Sequence, residues 1–205
     1  MLRLIREHKS LAPRRQIAQA PAKTHDGTIV TEQPNQMWGT DATATVTLAD
    51  GQVTVFAGVD DCTTECVGIH AVKRATRLEA LEPIRQGVKE YYGGFRKGVA
   101  GDLQIRHDHG SQFLSDHFQK EIRFLGMESS PAFVRQPEGN GCIERFFRTL
   151  KEQLLWVRHF QNIDELQQAL CEFRHTFNRE WLIERLNFQS PQHARQRLLA
   201  LQQAA

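Results

Sequence analysis

Apolar and polar residues alternate along much of the first half of the chain, the pattern of strands that are buried on one side. Three successive segments show it: residues 38–48, 52–60 and 65–73. The pair Asp50-Gly51 separates the first two segments and favours a tight hairpin turn between them. Two shorter apolar segments, at 103–106 and 127–130, predict a fourth and a fifth strand.

Helical spacing replaces this alternation elsewhere in the chain. Apolar residues three or four positions apart predict helices at 76–92, 115–125, 163–178 and 188–200, and a long helix from Cys142. The long helix carries one apolar stripe: Ile143, Phe146, Phe147, Leu150, Leu154 and Val157. Ser190 before Pro191 favours the start of the last helix there, because serine caps helices and proline suits the first turn.

The order of these elements indicates the fold class. Three strands in succession, then helix, strand, helix and strand, predict an α/β fold with a mixed five-stranded sheet flanked by helices. The first strand would be central, and further helices follow the sheet. We therefore divide the chain into a basic N-terminal helix remnant and linker (1–35), an α/β core (36–160) and a C-terminal helical extension (161–205).

The first 35 residues differ in composition from the rest of the chain. Residues 1–10 have the spacing of a helix that Pro13 ends; it is too short to be stable alone, so it reads as the end of a larger element. Residues 1–23 carry six basic side chains against one acid, although the net charge of the chain is only +2. This basic arm can neutralise phosphates, or it can be a solvated leader.

Composition argues against several classes of protein. No apolar run approaches the roughly 18 residues of a membrane span, and the basic N-terminus lacks the apolar region of a secretory signal. The four cysteines show neither zinc-finger spacing nor a disulfide framework. We therefore expect a reduced, cytoplasmic protein with no membrane partner.

Three acidic residues stand where a solvated surface acid is not expected. Asp41 interrupts the predicted central strand, where a carboxylate is costly unless it is paired or binds metal. Asp108 follows the fourth strand just before Gly110, at an edge of the sheet. Glu144 lies on the long helix, one position from the apolar stripe. Other acids compete with these three for the same role: Asp50, Asp60, Asp61, Asp102, Asp116 and Glu138.

Glu144 shares its helix face with Arg148 and Lys151. The three side chains could form an exposed ion-pair ladder worth about 0.3–0.5 kcal/mol. They could instead be a metal ligand followed by two phosphate-binding cations that face one groove. The segment 137–141, which is rich in glycine, precedes this face and favours the second interpretation, because a flexible loop lets DNA approach the backbone.

Three carboxylates from distant segments can together hold two divalent cations, which stabilise the attacking and leaving oxygens of a phosphodiester displacement. His107 and His109 flank Asp108, but on a strand they would point away from it, so we expect packing residues rather than ligands. The tryptophans are expected in the core rather than on a base-stacking surface: Trp38, Trp156 and Trp181. The acidic trio points to cutting and joining of DNA.

Several segments also resemble a known family: His25-Asp-Gly-Thr-Ile-Val30, Met37-Trp-Gly-Thr-Asp41, Ala80-Leu-Glu-Pro-Ile-Arg-Gln-Gly87, Ile143-Glu-Arg145, Arg148-Thr-Leu-Lys-Glu-Gln153 and Trp181-Leu-Ile-Glu-Arg185. With the acidic spacing, they are similar to the catalytic core of retroviral-type integrases. They resemble still more closely the transposases of the bacterial insertion-sequence family conventionally numbered three. The resemblance implies a ribonuclease-H-like fold, with 36–160 as the integrase-type catalytic core, and Mg²⁺- or Mn²⁺-dependent DNA strand transfer.

Carried over by position, the resemblance implies that Asp41 and Asp108 hold two metal ions and that Glu144 completes the second site. The expected contacts to DNA come from Lys151, Arg148 and Arg145. Expected partners are the DNA ends of the element, the target DNA, further copies of the chain and an upstream helix-turn-helix protein. Such a protein would work in the cytoplasm, associated with the nucleoid.

Two alternatives stay open. The chain begins within what resembles the end of an upstream DNA-recognition region, so it could be a truncated, catalytically idle relic that binds DNA or a partner transposase. It could also be a ribonuclease-H-like nuclease that cuts without joining. The intact trio of acids argues against decay of the site but does not exclude it.

Overall fold

The computed structural model describes residues 31–131 and 140–204. The helix expected at 1–10 and most of the linker that follows it lie outside the described residues, as does the competing acid Glu138. The division of the chain at 35 and 160 stays a prediction.

A mixed five-stranded sheet forms the centre of the described part. Its strands are β1 (Met37–Thr47), β2 (Gly51–Asp60), β3 (Cys66–Val72), β4 (Gln104–His107) and β5 (Glu128–Pro131). They lie in the order β3-β2-β1-β4-β5. β1, β2 and β3 pair antiparallel, whereas β4 runs parallel to both β1 and β5. The predicted mixed sheet and its central first strand are therefore confirmed.

Helices cover both sides of this sheet. They are α1 (Glu82–Tyr92), α2 (Ser111–Leu114), α3 (Asp116–Phe124), α4 (Gly141–Leu150), α5 (Ile163–Glu180) and α6 (Pro191–Ala204). Short 3₁₀ turns lie at Glu79–Leu81 and Glu184–Leu186, and a π-helical turn, Lys151–Leu155, extends α4.

The two-residue period of the strands sorts their side chains into two cores. On one face, valines of β2 such as Val53 and Val55 pack with the apolar stripe of α4 and with α5. On the other face, Trp38 and Phe56 pack with α1 and α3. Successive residues Val55 and Phe56 thus point into different cores, as the alternation predicts.

Helix α1 lies very close to the sheet where it crosses β3. A Cβ atom added at Gly68 would lie 2.1 Å from the carbonyl oxygen of Pro83, in the first turn of that helix. Such a contact is impossible without moving the backbone, so glycine at this position sets the distance between helix and strand.

The prediction of one continuous helix from Cys142 to Val157 is wrong at its C-terminal end. Regular α-helix ends at Leu150, and a π turn follows. A π turn contains more residues than an α turn, so side chains after it no longer continue the same stripe. Val157 is accordingly 69% exposed, and Trp156, which we expected in the core, is 70% exposed. The same expectation is confirmed for Trp38, which is fully buried.

The last helix begins where its capping signal predicts. The Ser190 hydroxyl accepts a hydrogen bond of 3.4 Å from the His193 backbone N–H, and Pro191 occupies the first helical position. Arg195, on the buried side of this helix, forms an ion pair with Asp60 at 3.4 Å and a second with Glu65. The C-terminal helix is thereby fastened to the end of β2. Among the described residues, no helix is long and apolar enough to cross a membrane.

Candidate active site

The register between β1 and β4 sets two of the three acids side by side. Gly39 of β1 pairs with Arg106 of β4 in a parallel ladder. Continuing that register by two residues brings Asp41 alongside Asp108, just beyond the end of β4. Residues from parallel strands that share a register position lie next to each other across the sheet. The central strand thus delivers Asp41 to the position where the fourth strand delivers Asp108.

The first turn of α4 brings Glu144 to the same place. A Cβ atom at Gly39 would lie 3.2 Å from Asn140 Oδ1 and 3.6 Å from the Ile143 side chain, so this helix begins directly over Gly39. Gly39 and Asp41 are two residues apart on one strand and face the same side of the sheet. Glu144, one residue after Ile143, therefore lies on the side towards which Asp41 projects.

The charge environment of Asp41 reflects this convergence. Burial of the half-buried carboxyl raises its pKa to about 6, and the negative charges of Asp108 and Glu144 act in the same direction. The Ala42 backbone N–H, which donates to Asp41 Oδ1 at 2.7 Å, and the positive charge of Lys151 act to lower that pKa. Asp41, Asp108, Glu144 and Lys151 thus occupy one electrostatic site, in which three acids face one cation.

Asp108 is held by its own neighbours rather than by a buried partner. Its side chain is exposed, and its Oδ1 accepts a hydrogen bond of 2.8 Å from the Gly110 backbone N–H. The buried ring of His107 holds the backbone at this point: Nδ1 lies 2.6 Å from the Asp108 carbonyl oxygen, and Nε2 lies 2.9 Å from Ser129 Oγ. A carbonyl only accepts, so Nδ1 carries the proton and donates it.

His107 also packs as the sequence predicts. Its ring stacks on Phe113 with centroids 5.6 Å apart, and burial lowers its pKa, which favours the neutral form. His109 is exposed. The bond between His107 and the Asp108 carbonyl oxygen could not be predicted, because a sequence pattern does not show which way a ring turns.

The donor set suits a hard divalent cation. All three acids offer carboxylate oxygens, the ligands that Mg²⁺ prefers. Within residues 31–131 and 140–204, no three His, Cys, Asp or Glu side chains stand close enough together to hold a metal ion. The side chains of Asp108 and Glu144 are both exposed, whereas that of Asp41 is half-buried. The excess of negative charge around Asp41 is the feature that a bound cation would relieve.

The competing acids have structural partners. Asp60 is fully buried and accepts hydrogen bonds from Thr63 and from the Asn35 backbone N–H, in addition to its ion pair with Arg195. Asp50 accepts from the Ile163 backbone N–H at 2.9 Å and so anchors the start of α5. These carboxylates are committed to the fold.

Three further acids lie apart from Asp41. Asp61 is half-buried and bonds Thr31 at 3.4 Å. Asp102 and Asp116 are exposed on other parts of the surface. The acids with the largest effects on the carboxyl of Asp41 are Asp108 and Glu144 rather than any of these three.

Basic side chains continue from the acidic site along α4. Lys151 is half-buried and close enough to affect Asp41, whereas Arg145 and Arg148 are exposed on the same helix. Arg145 Nε donates to the Gly141 carbonyl oxygen at 3.0 Å. Arg185 joins them from a distant segment, and the helical pattern around α4 gave no signal for it.

The order of the strands and the acids that meet beside the central strand are typical of a core domain of the integrase type. A family model described as Integrase core domain matches residues 31–137, more than half of the chain, and a second model with the same description matches residues 125–191. The chain belongs to the integrase core domain family, and its resemblance to insertion-sequence transposases is confirmed.

Two transposases show the relationship in more detail. The chain is 31% identical over 90 residues to the transposase for insertion sequence element IS904 of Lactococcus lactis, covering 43% of this chain and 36% of that protein. It is 23% identical over 155 residues to the transposase InsD for insertion element IS2A/D/F/H/I/K of Escherichia coli, covering 76% of this chain and 51% of that protein. The chain thus spans about half the length of such relatives or less.

A solved structure supports the fold. The HTLV-2 integrase catalytic core domain in complex with magnesium, in a trimeric form, superimposes with a TM-score of 0.58 at 19% identity, covering 80% of this chain and 98% of that one. At this identity the likeness concerns the architecture, and it confirms the ribonuclease-H-like sheet.

Proposed function

We propose that this chain is the catalytic core of a transposase that cuts DNA and joins the resulting ends to new DNA, using Asp41, Asp108 and Glu144 as metal ligands. One observation carries the proposal: the negative charges of Asp108, after the end of β4, and of Glu144, on α4, both act on the half-buried carboxyl of Asp41 on β1. Membership of the integrase core domain family supports the reaction class.

The three acids would divide the work of binding two cations. Asp41 of β1 and Asp108, which follows the end of β4, would lie side by side as shared ligands, and Glu144 would complete the second site from α4. Bound Mg²⁺ or Mn²⁺ would supply stabilisation of the attacking and leaving oxygens of the phosphodiester. His107, through its bond to the Asp108 carbonyl oxygen, would hold Asp108 in its position beside Asp41.

The basic side chains would hold the DNA. Lys151 is close enough to the acids to neutralise a phosphate beside them, and Arg148 and Arg145 extend the positive surface along α4. Guanidinium groups suit this task because their donors match the oxygens of a phosphate.

The proposed partners follow from the reaction. Joining requires the DNA ends of the element, a target duplex and more than one copy of the chain, and an upstream helix-turn-helix protein would supply recognition of the ends. The reaction would take place in the cytoplasm at the nucleoid.

A strand-transfer assay with terminal-repeat DNA and Mg²⁺ tests the proposal. We expect Asp41→Asn, Asp108→Asn and Glu144→Gln each to lower the yield of joined product by at least about a thousandfold, since each removes a ligand charge. Glu152→Gln is a matched control: this glutamate is exposed just beyond α4, and its variant should retain activity.

A labelled 3′-hydroxyl donor separates joining from simple cutting, and a nuclease would give no joined product. The melting temperature supplies a second measurement. Mg²⁺ that binds the folded state should raise it in the parent chain but not in the three acid variants. Equal shifts in the parent and in Glu144→Gln would contradict the assignment of that residue.

A further inference from the structure

A groove of about 270 Å³ lies beside α4, between this helix and the segment that follows α5. Arg145 and Thr149, which line it, are turned by roughly 100° or more around the helix from Glu144. The groove therefore lies next to the acidic site formed by Asp41, Asp108 and Glu144 rather than within it. We call it the arginine groove, after three of its lining residues: Arg145, Arg148 and Arg185.

The side chains that line the arginine groove carry only positive charge, although the Asp61 carboxyl outside the lining interacts with Arg185 and Arg145. No acid is found among the described residues that line it. Arg145 and Arg148 stand on the exposed side of α4, and Arg185 faces them from the 3₁₀ turn after α5. Arg185 is anchored, because its Nη2 donates to the Asp61 carbonyl oxygen at 2.9 Å and to Thr64 Oγ1. An anchored guanidinium loses less freedom when it binds an anion.

Aromatic and apolar side chains form another part of the groove, which we call its floor. Trp181, which we expected in the core, packs against the core but is only half-buried. Its ring stacks on Phe177 with centroids 6.1 Å apart and ring planes 28° from parallel. Phe177 in turn stacks on Phe173 of α5, so a rigid aromatic column ends at this groove. Leu182, the next residue, is 64% exposed although it is a large apolar side chain. An exposed leucine beside a tryptophan that is held by ring stacking forms a surface on which a planar group can lie.

Phosphate-binding arginines and an aromatic floor together are the features of a single-strand nucleic-acid site. We infer that the arginine groove holds an unpaired stretch of the DNA strand next to the scissile phosphodiester, with phosphates on the three arginines and a base against Trp181 and Leu182. The inference rests on the proposed action on DNA, and it adds where an unpaired stretch of that DNA binds. A groove of this volume suits a nucleotide rather than a double helix, and stacking on an aromatic ring tolerates every base.

Binding of a short, fluorescently labelled oligothymidine, followed by anisotropy in EDTA, tests the inference without metal or catalysis. Leu182→Glu removes part of the floor and sets a negative charge among the arginines. We expect it to weaken binding about tenfold, whereas Leu201→Glu, at a leucine of α6 that is 59% exposed, should bind within about twofold of the parent chain. Equal affinities for the two variants would overturn the inference.

Salt dependence and crosslinking locate the strand. Three phosphate contacts predict that the logarithm of the affinity falls with the logarithm of the salt concentration with a slope of about 2, and Arg148→Gln should reduce that slope by about 0.7.

Photocrosslinking with an iodouracil oligonucleotide should mark the peptide that carries Trp181. A crosslink elsewhere, or displacement of the oligonucleotide by an acidic peptide at lower concentration, would contradict a nucleic-acid occupant.

The outcome can be separated from that of the proposed function. Binding to the arginine groove should persist in Glu144→Gln, which leaves the groove intact. Groove binding without any metal-dependent joining in the parent chain would count against the proposed function alone. If the parent chain joins DNA but Leu182→Glu binds the oligonucleotide as tightly as the parent chain does, the result would count against the groove alone.

Discussion

Asp41 belongs both to the central strand of the sheet and to the proposed metal site. It occupies the central strand, it is half-buried, and its nearest negative neighbours are Asp108 and Glu144. In the absence of a cation, such a carboxyl costs the folded state free energy whenever it is ionised. A group that lowers stability so that another species can bind is the expected sign of a site rather than of a structural acid.

This cost predicts a pH dependence that Asp41→Asn should remove. The pKa of Asp41 is raised from 3.8 to about 6, so the folded state binds more protons than the unfolded state between those values. The free energy of unfolding therefore falls as the pH rises through this window. In metal-free buffer at pH 8, Asp41→Asn should be more stable than the parent by up to about 3 kcal/mol, a difference that disappears below about pH 4. Urea unfolding at several pH values measures it.

The exposed Asp102 provides the control for that experiment, since Asp102→Asn should leave the pH dependence unchanged. A parent chain whose stability does not fall between pH 4 and pH 7 relative to Asp41→Asn would show that Asp41 ionises freely, contrary to its burial among other acids.

At the scale of elements, the position of each helix over the sheet decides where side chains meet. α4 begins over Gly39, and α1 crosses β3 at Gly68. Both contacts involve residues that share no local pattern. The strands and most helices could be predicted from their periods, and the expected central position of the first strand placed Asp41 near Asp108. The register that sets the two side by side came only from the structure, because strand order does not fix register. The π turn after Leu150 could not be predicted, because helical spacing continues in the sequence as far as Val157.

Gly68→Ala should destabilise the fold by about 3 kcal/mol or more, because the new methyl group would overlap backbone atoms of Pro83 and push α1 away from the sheet. Gly101→Ala is the matched control, since a Cβ atom there meets its nearest neighbour at 3.8 Å, an ordinary contact. Thermal unfolding followed by circular dichroism compares the two. If Gly68→Ala melts like Gly101→Ala, the close packing of α1 on β3 is incorrect.

Over the whole molecule, distant parts of the chain are tied by a few buried polar contacts. Arg195 of α6 reaches Asp60 and Glu65, and its guanidinium lies 4.2 Å from the ring centroid of Tyr91. Burial raises the pKa of Glu65 even beside this arginine. Asp60 could not be told from a catalytic acid in the sequence, because its partner lies at the other end of the chain. Long-range pairing is the part of the fold, and of the site, that residue patterns do not reveal.

Arg195→Met should cost about 3–5 kcal/mol, because it leaves two buried carboxyls without their cation. The loss should be smaller at pH 5 than at pH 8, since Glu65 can take up a proton once its pKa is raised further. Arg197→Met, at an exposed arginine of the same helix, should change stability by less than about 0.5 kcal/mol. Chemical denaturation at both pH values would test this, and equal effects of the two variants would contradict the buried network.

The contact between Gly39 and the start of α4 has a mechanical consequence. The height of this helix above the sheet is limited by van der Waals contact with a backbone that carries no side chain. A methyl group at Gly39 would lie 3.2 Å from Asn140 Oδ1, so the Asn140 side chain at the start of the helix would have to shift by a few tenths of an ångström. The close fit between β1 and the start of α4, the helix that carries Glu144, thus depends on the absence of a side chain at position 39.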